Sequence, residues 1–133
     1  MAKILIVDDD NTITALFQYL FQEANYKTET AKNGQEALEK LASFVPDIMI
    51  VDIEMPVMNG PEFIKKLHEK SLSKPGLKNI PFIVMTCSSA KTIGSDYGFG
   101  GNKCCKAFLP KMTPPETVLE IANQIIEAVN SRQ

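Results

Sequence analysis

Residues 4–10 read ILIVDDD: four consecutive apolar residues, three of them β-branched, are followed at once by three aspartates. A strand without polar alternation is buried on both faces, which is typical of a parallel sheet covered by helices on each side. The aspartates fall where this strand ends, and open α/β sheets place their binding sites at the carboxyl ends of their strands. The stretch therefore predicts both the fold class and the edge of the sheet that carries the site.

The rest of the chain repeats this alternation of strand and amphipathic helix. Further strands are predicted at 26–31, 47–52, 81–86 and, shortest, 107–109. Asn33 and Asn59 are placed to cap the helices that follow the second and third strands. Five such units predict a doubly wound α/β domain, a (βα)5 fold with a parallel five-stranded sheet.

The last helix carries the clearest local pattern, and the segment before it the weakest. Thr113 and Glu116 have the spacing of a capping box with proline at the first helical position, and an apolar stripe follows them, made by Val118, Ile121, Ala122, Ile125, Ile126 and Val129. Four glycines lie between 94 and 101. Each would cost about 1 kcal/mol inside a helix, so we expect a short, displaced or mobile fourth helix with a loop near 97–103. An extended loop is expected at 71–79.

Length and composition bound the function. A chain of 133 residues with a net charge of −2 predicts one domain over 1–133, with no output domain after the last helix and no general affinity for nucleic acid. No apolar run reaches the roughly 20 residues of a membrane span, and the amino terminus enters a strand instead of a signal peptide. The three cysteines, Cys87, Cys104 and Cys105, lack the spacing of a metal site and fit reduced thiols, so we expect a cytoplasmic protein.

Polar side chains end four of the predicted strands. They are Asp8 and Asp9 after the first, Asp52 after the third, Thr86 after the fourth and Lys111 after the fifth. Two carboxylates about 4 Å apart repel each other by about 4 kcal/mol at an effective dielectric of 20, and a hard cation removes that cost. Magnesium suits carboxylate oxygens and is typically shared with a phosphate. The pattern therefore favours Mg²⁺-assisted phosphate chemistry.

These residues, together with residues 51–60 (VDIEMPVMNG) and 108–111 (FLPK), resemble the receiver domains of two-component response regulators, the family of the chemotaxis protein CheY. The resemblance covers nearly the whole chain. It implies a flavodoxin/CheY-like three-layer sandwich with strand order 2-1-3-4-5. It also implies a signalling protein, not an enzyme, that accepts a phosphoryl group from a phosphohistidine of a sensor histidine kinase or a histidine phosphotransfer protein.

The resemblance assigns a role to each residue of the site. Asp52 is the implied phosphoacceptor. Asp8 and Asp9 are the implied Mg²⁺-binding pair, with Asp9 the more direct ligand. Asp52 itself and the backbone carbonyl of Glu54 would complete the protein ligands.

Three further residues complete the implied mechanism. Lys111 would pair with the acyl phosphate, and the Thr86 hydroxyl would bond a phosphoryl oxygen after transfer. Phe108 matches the aromatic switch position and would rotate inward with Thr86. Output would be binding of a downstream protein, which the sequence does not identify, through the face formed by the fourth helix, the fifth strand and the last helix.

The chain departs from the family pattern near this output face. Met112 follows Lys111 where the family has a proline with a cis bond, and a cis bond without proline costs about 2.5–4 kcal/mol, so the bond is either strained or trans. Cys87 replaces a small residue after Thr86. Cys104 and Cys105 replace a Gly-Ala pair before the fifth strand.

Two alternatives stay open from the sequence. Residues 8–12 also read as DxDxT, the nucleophile motif of haloacid-dehalogenase-type phosphatases, in which Asp8 would be the nucleophile and Asp10 the acid–base residue. Those enzymes need a late acidic motif, whereas the last strand here leads to Lys111. The second alternative is a receiver-like adaptor that binds partners without phosphorylation. In the receiver interpretation Asp10 is a helix cap or spacer.

Overall fold

A computed structural model describes residues 2–86 and 102–131, and within them a parallel sheet is flanked by helices on both faces. The strands are β1 (Lys3–Val7), β2 (Lys27–Ala31), β3 (Ile48–Asp52), β4 (Phe82–Thr86) and β5 (Cys105–Pro110). The helices of this part are α1 (Asn11–Glu23), α2 (Gly34–Lys40), α3 (Gly60–Ser71) and α4 (Pro115–Asn130). The strand order is β2-β1-β3-β4-β5 with parallel neighbours throughout, which confirms the predicted fold class and order.

The central strands are buried on both faces, and their side chains alternate between two hydrophobic cores. The core under α2 and α3 receives Leu5, Val7, Met49, Val51 and Val84. The core under α1 and α4 receives Ile4, Ile6, Ile48, Ile50 and Ile83. This alternation explains why the central strands read as continuous apolar runs, since neither face of these strands meets water.

Three helices begin at a side-chain cap. The carboxylate of Asp10 accepts hydrogen bonds from the backbone N–H groups two and three residues on, at 2.9 and 3.3 Å. Asn33 and Asn59 each accept one from the N–H three residues on, at 2.8 and 2.9 Å. A cap of this kind typically contributes about 1 kcal/mol to stability. The predicted caps of α2 and α3 are confirmed, and Asp10 is the cap of α1.

The predicted capping box of the last helix is wrong. The residue before the helix is Pro114, which has extended backbone and makes no side-chain cap bond, and Pro115 is the first helical residue. Each proline pushes its predecessor out of the helical region, so the helix cannot begin before the second one. The predicted apolar stripe is only partly buried: Val118 and Ala122 are fully covered, and the other four members are half-buried.

Smaller differences concern segment ends and connections. Strand β5 is longer than the predicted 107–109, and the predicted loop at 71–79 contains a 3-10 turn at Pro75–Leu77 whose Leu77 is buried. No cis peptide bond occurs in the described residues, so the bond between Lys111 and Met112 is trans. No described helix has the length and apolar character needed to cross a membrane. Cys87, the expected fourth helix and residues 94–101 of the glycine-rich segment lie outside the described residues.

Candidate functional site

Asp8 and Asp52 lie side by side at the carboxyl edge of the sheet. Val7, the last residue of β1, is in register with Val51 of β3, so the next residue of each strand stands at the same level. The N–H of Asp8 donates to the carbonyl of Ala31 at 2.9 Å, which holds this end of β1 against β2. Both side chains are buried, with 4% of Asp8 and 2% of Asp52 exposed.

The turn into α1 places the third carboxylate. The Oδ1 atom of Asp8 accepts a hydrogen bond from the N–H of Asp10 at 2.9 Å, and the carboxylate of Asp10 caps the helix. The side chain of Asp9 remains exposed to solvent. Asp8, Asp9 and Asp52 each offer a carboxylate oxygen within 4.8 Å of the other two, and within the described residues no other such acidic, histidine or cysteine group was found.

Lys111 reaches this cluster from the far side of β4. Its backbone N–H donates to the carbonyl of Thr86 at 2.8 Å, which fixes the end of β5 against β4. Its Nζ atom donates to Oδ2 of Asp52 at 3.0 Å and lies 3.3 and 3.2 Å from Oδ1 and Oδ2 of Asp8. The site thus holds three carboxylates and one ammonium, a formal charge of −2 when all are ionised.

Burial and mutual repulsion dominate the electrostatics of the site. Burial, followed by the charge of Asp8, raises the pKa of Asp52 from 3.8 to about 6, although Lys111 opposes the shift. Burial also raises the pKa of Asp8. Burial alone would lower the pKa of Lys111, but its hydrogen bond to Asp52 and the two nearby carboxylates outweigh that effect and raise it. The positive charge of Lys111 therefore does not cancel the effect of burial on the pKa values of Asp8 and Asp52.

A glycine allows α3 to approach the phosphoacceptor candidate. The N–H of Gly60 donates to the carbonyl of Ile53 at 2.9 Å. A Cβ atom at Gly60 would lie 2.5 Å from the backbone oxygen of Asp52 and 3.1 Å from the Cα of Ile53. Only glycine fits so close to backbone atoms that cannot move aside. The sequence showed Gly60 as part of the motif, but this steric role follows from the structure alone.

A second feature that the sequence did not show is strain in the β3–α3 loop. Val57 has a φ of 68°, and the N–H of Met58 bonds back to the carbonyl of Pro56 at 2.7 Å, which closes a three-residue turn. A β-branched residue pays about 1–2 kcal/mol for such a backbone conformation. The side chain of Val57 is 79% exposed, so packing does not compensate for this cost.

The remaining predicted residues are near the site, with roles that stay predictions. Thr86 ends β4, the strand next to β3, and is buried. Glu54 is exposed and shares a surface depression with Asp9. Phe108 lies on β5 opposite Val84, half-buried against the core under α2 and α3.

The donor set fits magnesium. Mg²⁺ prefers hard oxygen ligands and is usually bound through one or two carboxylates, with water and phosphate completing its shell. The three clustered carboxylates offer that chemistry, and the formal charge of −2 matches a divalent ion. Two buried carboxylates with raised pKa values are the arrangement that gains most from such a cation.

Curated proteins of known family match most of this chain. The response regulator SaeR of Staphylococcus aureus is 35% identical over 124 residues, which are 92% of this chain and 50% of SaeR. This chain therefore spans at most about half the length of the first curated relatives it matches.

Solved structures give the same picture over nearly the whole chain. The chemotaxis response regulator CheY4 of Vibrio cholerae superposes with a TM-score of 0.80 at 33% identity, covering 94% of this chain and 98% of CheY4. The response regulator TrrA of Thermotoga maritima, solved in complex with Mg²⁺-BeF, superposes with a TM-score of 0.75 at 28% identity, covering 93% and 98%. The family model of the response regulator receiver domain matches residues 4–123 of this chain. This chain belongs to the response regulator receiver domain family.

Proposed function

We propose that this receiver domain accepts a phosphoryl group on Asp52 from a phosphohistidine and passes the signal on by binding another protein. The observation that carries the proposal is the convergence of Asp8, Asp9 and Lys111 on Asp52 at one edge of the sheet. Membership in the family supports the general activity. On this proposal the domain acts as a phosphoacceptor in signalling and does not turn over a metabolite as an enzyme would.

The proposed transfer is an in-line displacement. A carboxylate oxygen of Asp52 attacks phosphorus, an O–P bond forms, and the P–N bond to the donor imidazole breaks with its electron pair returning to nitrogen. Phosphoryl transfer has a loose transition state, so positioning and charge neutralisation provide most of the catalysis. Hydrolysis of the acyl phosphate by water would restore Asp52 and end the signal.

Residues of this chain supply the positioning. Asp8, Asp9 and Asp52, with the backbone carbonyl of Glu54, would hold Mg²⁺, which when bound supplies positive charge to the phosphoryl oxygens. The similar protein TrrA was solved in complex with Mg²⁺-BeF, which supports the binding of Mg²⁺ by this domain. Lys111 already lies 3.0 Å from Asp52, so its ammonium is placed to stabilise the same oxygens.

The response of the fold begins next to the acceptor. A phosphorylated Asp52 carries a new dianion beside Thr86, whose hydroxyl is a suitable donor to it. A shift of Thr86 along the end of β4 would allow Phe108 on the neighbouring strand to turn inward. We propose this pair as the element that converts a local charge change into a change of surface.

Intact-protein mass spectrometry after incubation with acetyl phosphate tests the acceptor. Wild type with Mg²⁺ should carry one phosphoryl adduct, and Asp52→Asn should carry none. Asp8→Asn should keep the adduct at reduced yield, because it retains the nucleophile and loses part of the metal site. Wild type with EDTA is the matched control for the metal and should show little adduct.

Other results would support the alternatives. An adduct that disappears with Asp8→Asn and survives Asp52→Asn would indicate the phosphatase chemistry. That alternative is weakened by Asp10, whose carboxylate caps α1. Absence of an adduct from all three proteins, without Mg²⁺ binding, would indicate the phosphorylation-independent adaptor.

Partners and compartment stay at the level of proposals. We expect the phosphoryl donor to be a sensor histidine kinase or a histidine phosphotransfer protein, acting in the cytoplasm. That the receiver works without an attached output domain stays a prediction, and the mass of the protein isolated from its own cells tests it.

A further inference from the structure

An apolar groove lies at the amino ends of the strands, the end of the sheet that is far from Asp52. It is bounded by the end of α3, the 3-10 turn at Pro75–Leu77, the entry to β4 and the residues before β5. We call it the α3–β4 groove. Its volume is about 370 Å³, which lies within the roughly 300–1,000 Å³ of ligand pockets. Its apolar lining includes Ile64, Leu67, Leu72, Leu77, Ile80 and Phe82.

One large apolar side chain of the groove, that of Leu72, projects into solvent. Leu72 follows α3 directly and is 77% exposed, whereas Leu67, Leu77 and Ile80 form the buried walls. Exposed apolar surface beside a recess of this kind is typical of a binding site for an apolar anchor. The folded core does not require Leu72, because so little of its side chain is covered.

The segments that form the groove are rich in lysine although the chain as a whole is acidic. Residues 65–78 contain five of the fourteen lysines and arginines and only one carboxylate, Glu69, which pairs weakly with Lys66 at 4.0 Å. Lys78 lines the groove, and Lys74 and Lys103 are sequence neighbours of lining residues. All three are exposed, and within the described residues none of them forms an ion pair with a carboxylate.

We propose that the α3–β4 groove binds an acidic peptide segment of a partner protein that inserts one large apolar side chain. The recess would hold the anchor, and the lysines would attract and orient the acidic flanks. A peptide fits better than a membrane surface, because a bilayer receives protruding apolar residues and this site is concave. The proposal does not depend on phosphorylation of Asp52, which lies at the other end of the strands.

Fluorescence anisotropy with a labelled synthetic peptide tests the proposal. The probe is a short peptide of Asp and Glu residues around one central Trp, and the reference is the same peptide with Ala in place of Trp. The variants are Leu72→Gln, which removes exposed apolar surface, and Lys78→Glu, which reverses a charge at the groove. Their matched controls, Tyr19→Gln and Lys27→Glu, change an exposed aromatic and an exposed lysine away from the groove.

The expected result is binding of the Trp peptide that weakens at least about 5-fold with either groove variant, a change of about 1 kcal/mol. The two controls should bind as wild type, and the Ala peptide should bind weakly to every protein. Phosphoryl uptake from acetyl phosphate should be equal in all of them, so failure of this proposal is distinguishable from failure of the proposed function. Equal affinity of groove and control variants would overturn it. Binding to vesicles containing phosphatidylserine without binding of the peptide would also overturn it and would indicate a membrane surface instead.

Discussion

Asp52→Asn should stabilise the protein when metal is absent. The buried carboxylate of Asp52 lies beside Asp8, and its pKa of about 6 stands about two units above the usual 3.8. At about 1.36 kcal/mol per unit, keeping this group ionised at pH 7 costs the folded state at most about 3 kcal/mol. Asparagine removes the charge and still offers an oxygen to Lys111. We therefore expect the free energy of unfolding to rise by about 1–3 kcal/mol in EDTA.

The pH dependence of the unfolding free energy separately tests whether Asp52→Asn stabilises the protein. A carboxyl group with a raised pKa in the folded state binds its proton more tightly there than in the unfolded chain. The contribution of Asp52 to stability is therefore fully present below pH 3.8 and is lost as pH rises through about 6. The advantage of Asp52→Asn over wild type should be near zero below pH 4 and reach its full value above pH 6.

Urea unfolding followed by circular dichroism measures this difference. With a slope of about 2 kcal/mol per molar urea, a gain of 2 kcal/mol moves the midpoint by about 1 M. Asp9→Asn is the matched control, because it removes an exposed carboxylate of the same cluster and should shift stability by no more than about 0.5 kcal/mol. Saturating Mg²⁺ should stabilise wild type more than Asp52→Asn, so the difference in unfolding free energy between the two proteins should become smaller. An Asp52→Asn protein that is less stable than wild type in EDTA, at every pH from 4 to 7, would refute the reasoning.

Three further predictions follow from the local geometry of the cap, the close glycine and the strained loop residue. Asp10→Ala should lower the unfolding free energy by about 1 kcal/mol through the lost cap and leave phosphoryl uptake unchanged, which mass spectrometry checks. Gly60→Ala should cost about 2–3 kcal/mol and weaken Mg²⁺ binding in titration calorimetry, whereas Gly76→Ala, with open space around it, should stay within about 0.5 kcal/mol. Val57→Gly should leave stability unchanged or raise it by up to about 1 kcal/mol in urea, whereas Val45→Gly, also on the surface, should lower it by about 0.5–1 kcal/mol.

The sheet and the acidic edge were predictable because their causes are local. Strands buried on both faces must be continuously apolar, so β1 and β3 are recognisable without knowledge of their neighbours. The caps at Asn33 and Asn59 depend on one side chain and one N–H three residues away. The meeting of Asp8 with Asp52 follows from the parallel topology alone, since both residues stand where neighbouring strands end.

The failures occur where two local rules compete. At the last helix, Thr113 and Glu116 have capping-box spacing, but the two prolines between them move the start to Pro115. No local rule could show that Lys111 would contact Asp8 as well as Asp52, because that contact depends on the side chain crossing the end of β4. The α3–β4 groove was hidden for a related reason. Its walls come from the end of α3, the 3-10 turn, the entry to β4 and the residues before β5, and each of these looks ordinary by itself.

The cluster is held in position by bonds that do not depend on its charge. The backbone of Asp8 is tied to β2 through Ala31 at 2.9 Å, and the backbone after Asp52 is tied to β4 through the N–H of Ile53 and the carbonyl of Met85 at 3.3 Å. Removal of a carboxylate therefore changes the energy of the site while its frame stays in place. A cation, or a change of charge at Asp52, can then relieve the repulsion between the two buried aspartates. The hydrogen bonds of the sheet are strong enough to keep the two aspartates together despite their repulsion. The site therefore stays electrostatically destabilised in the resting state.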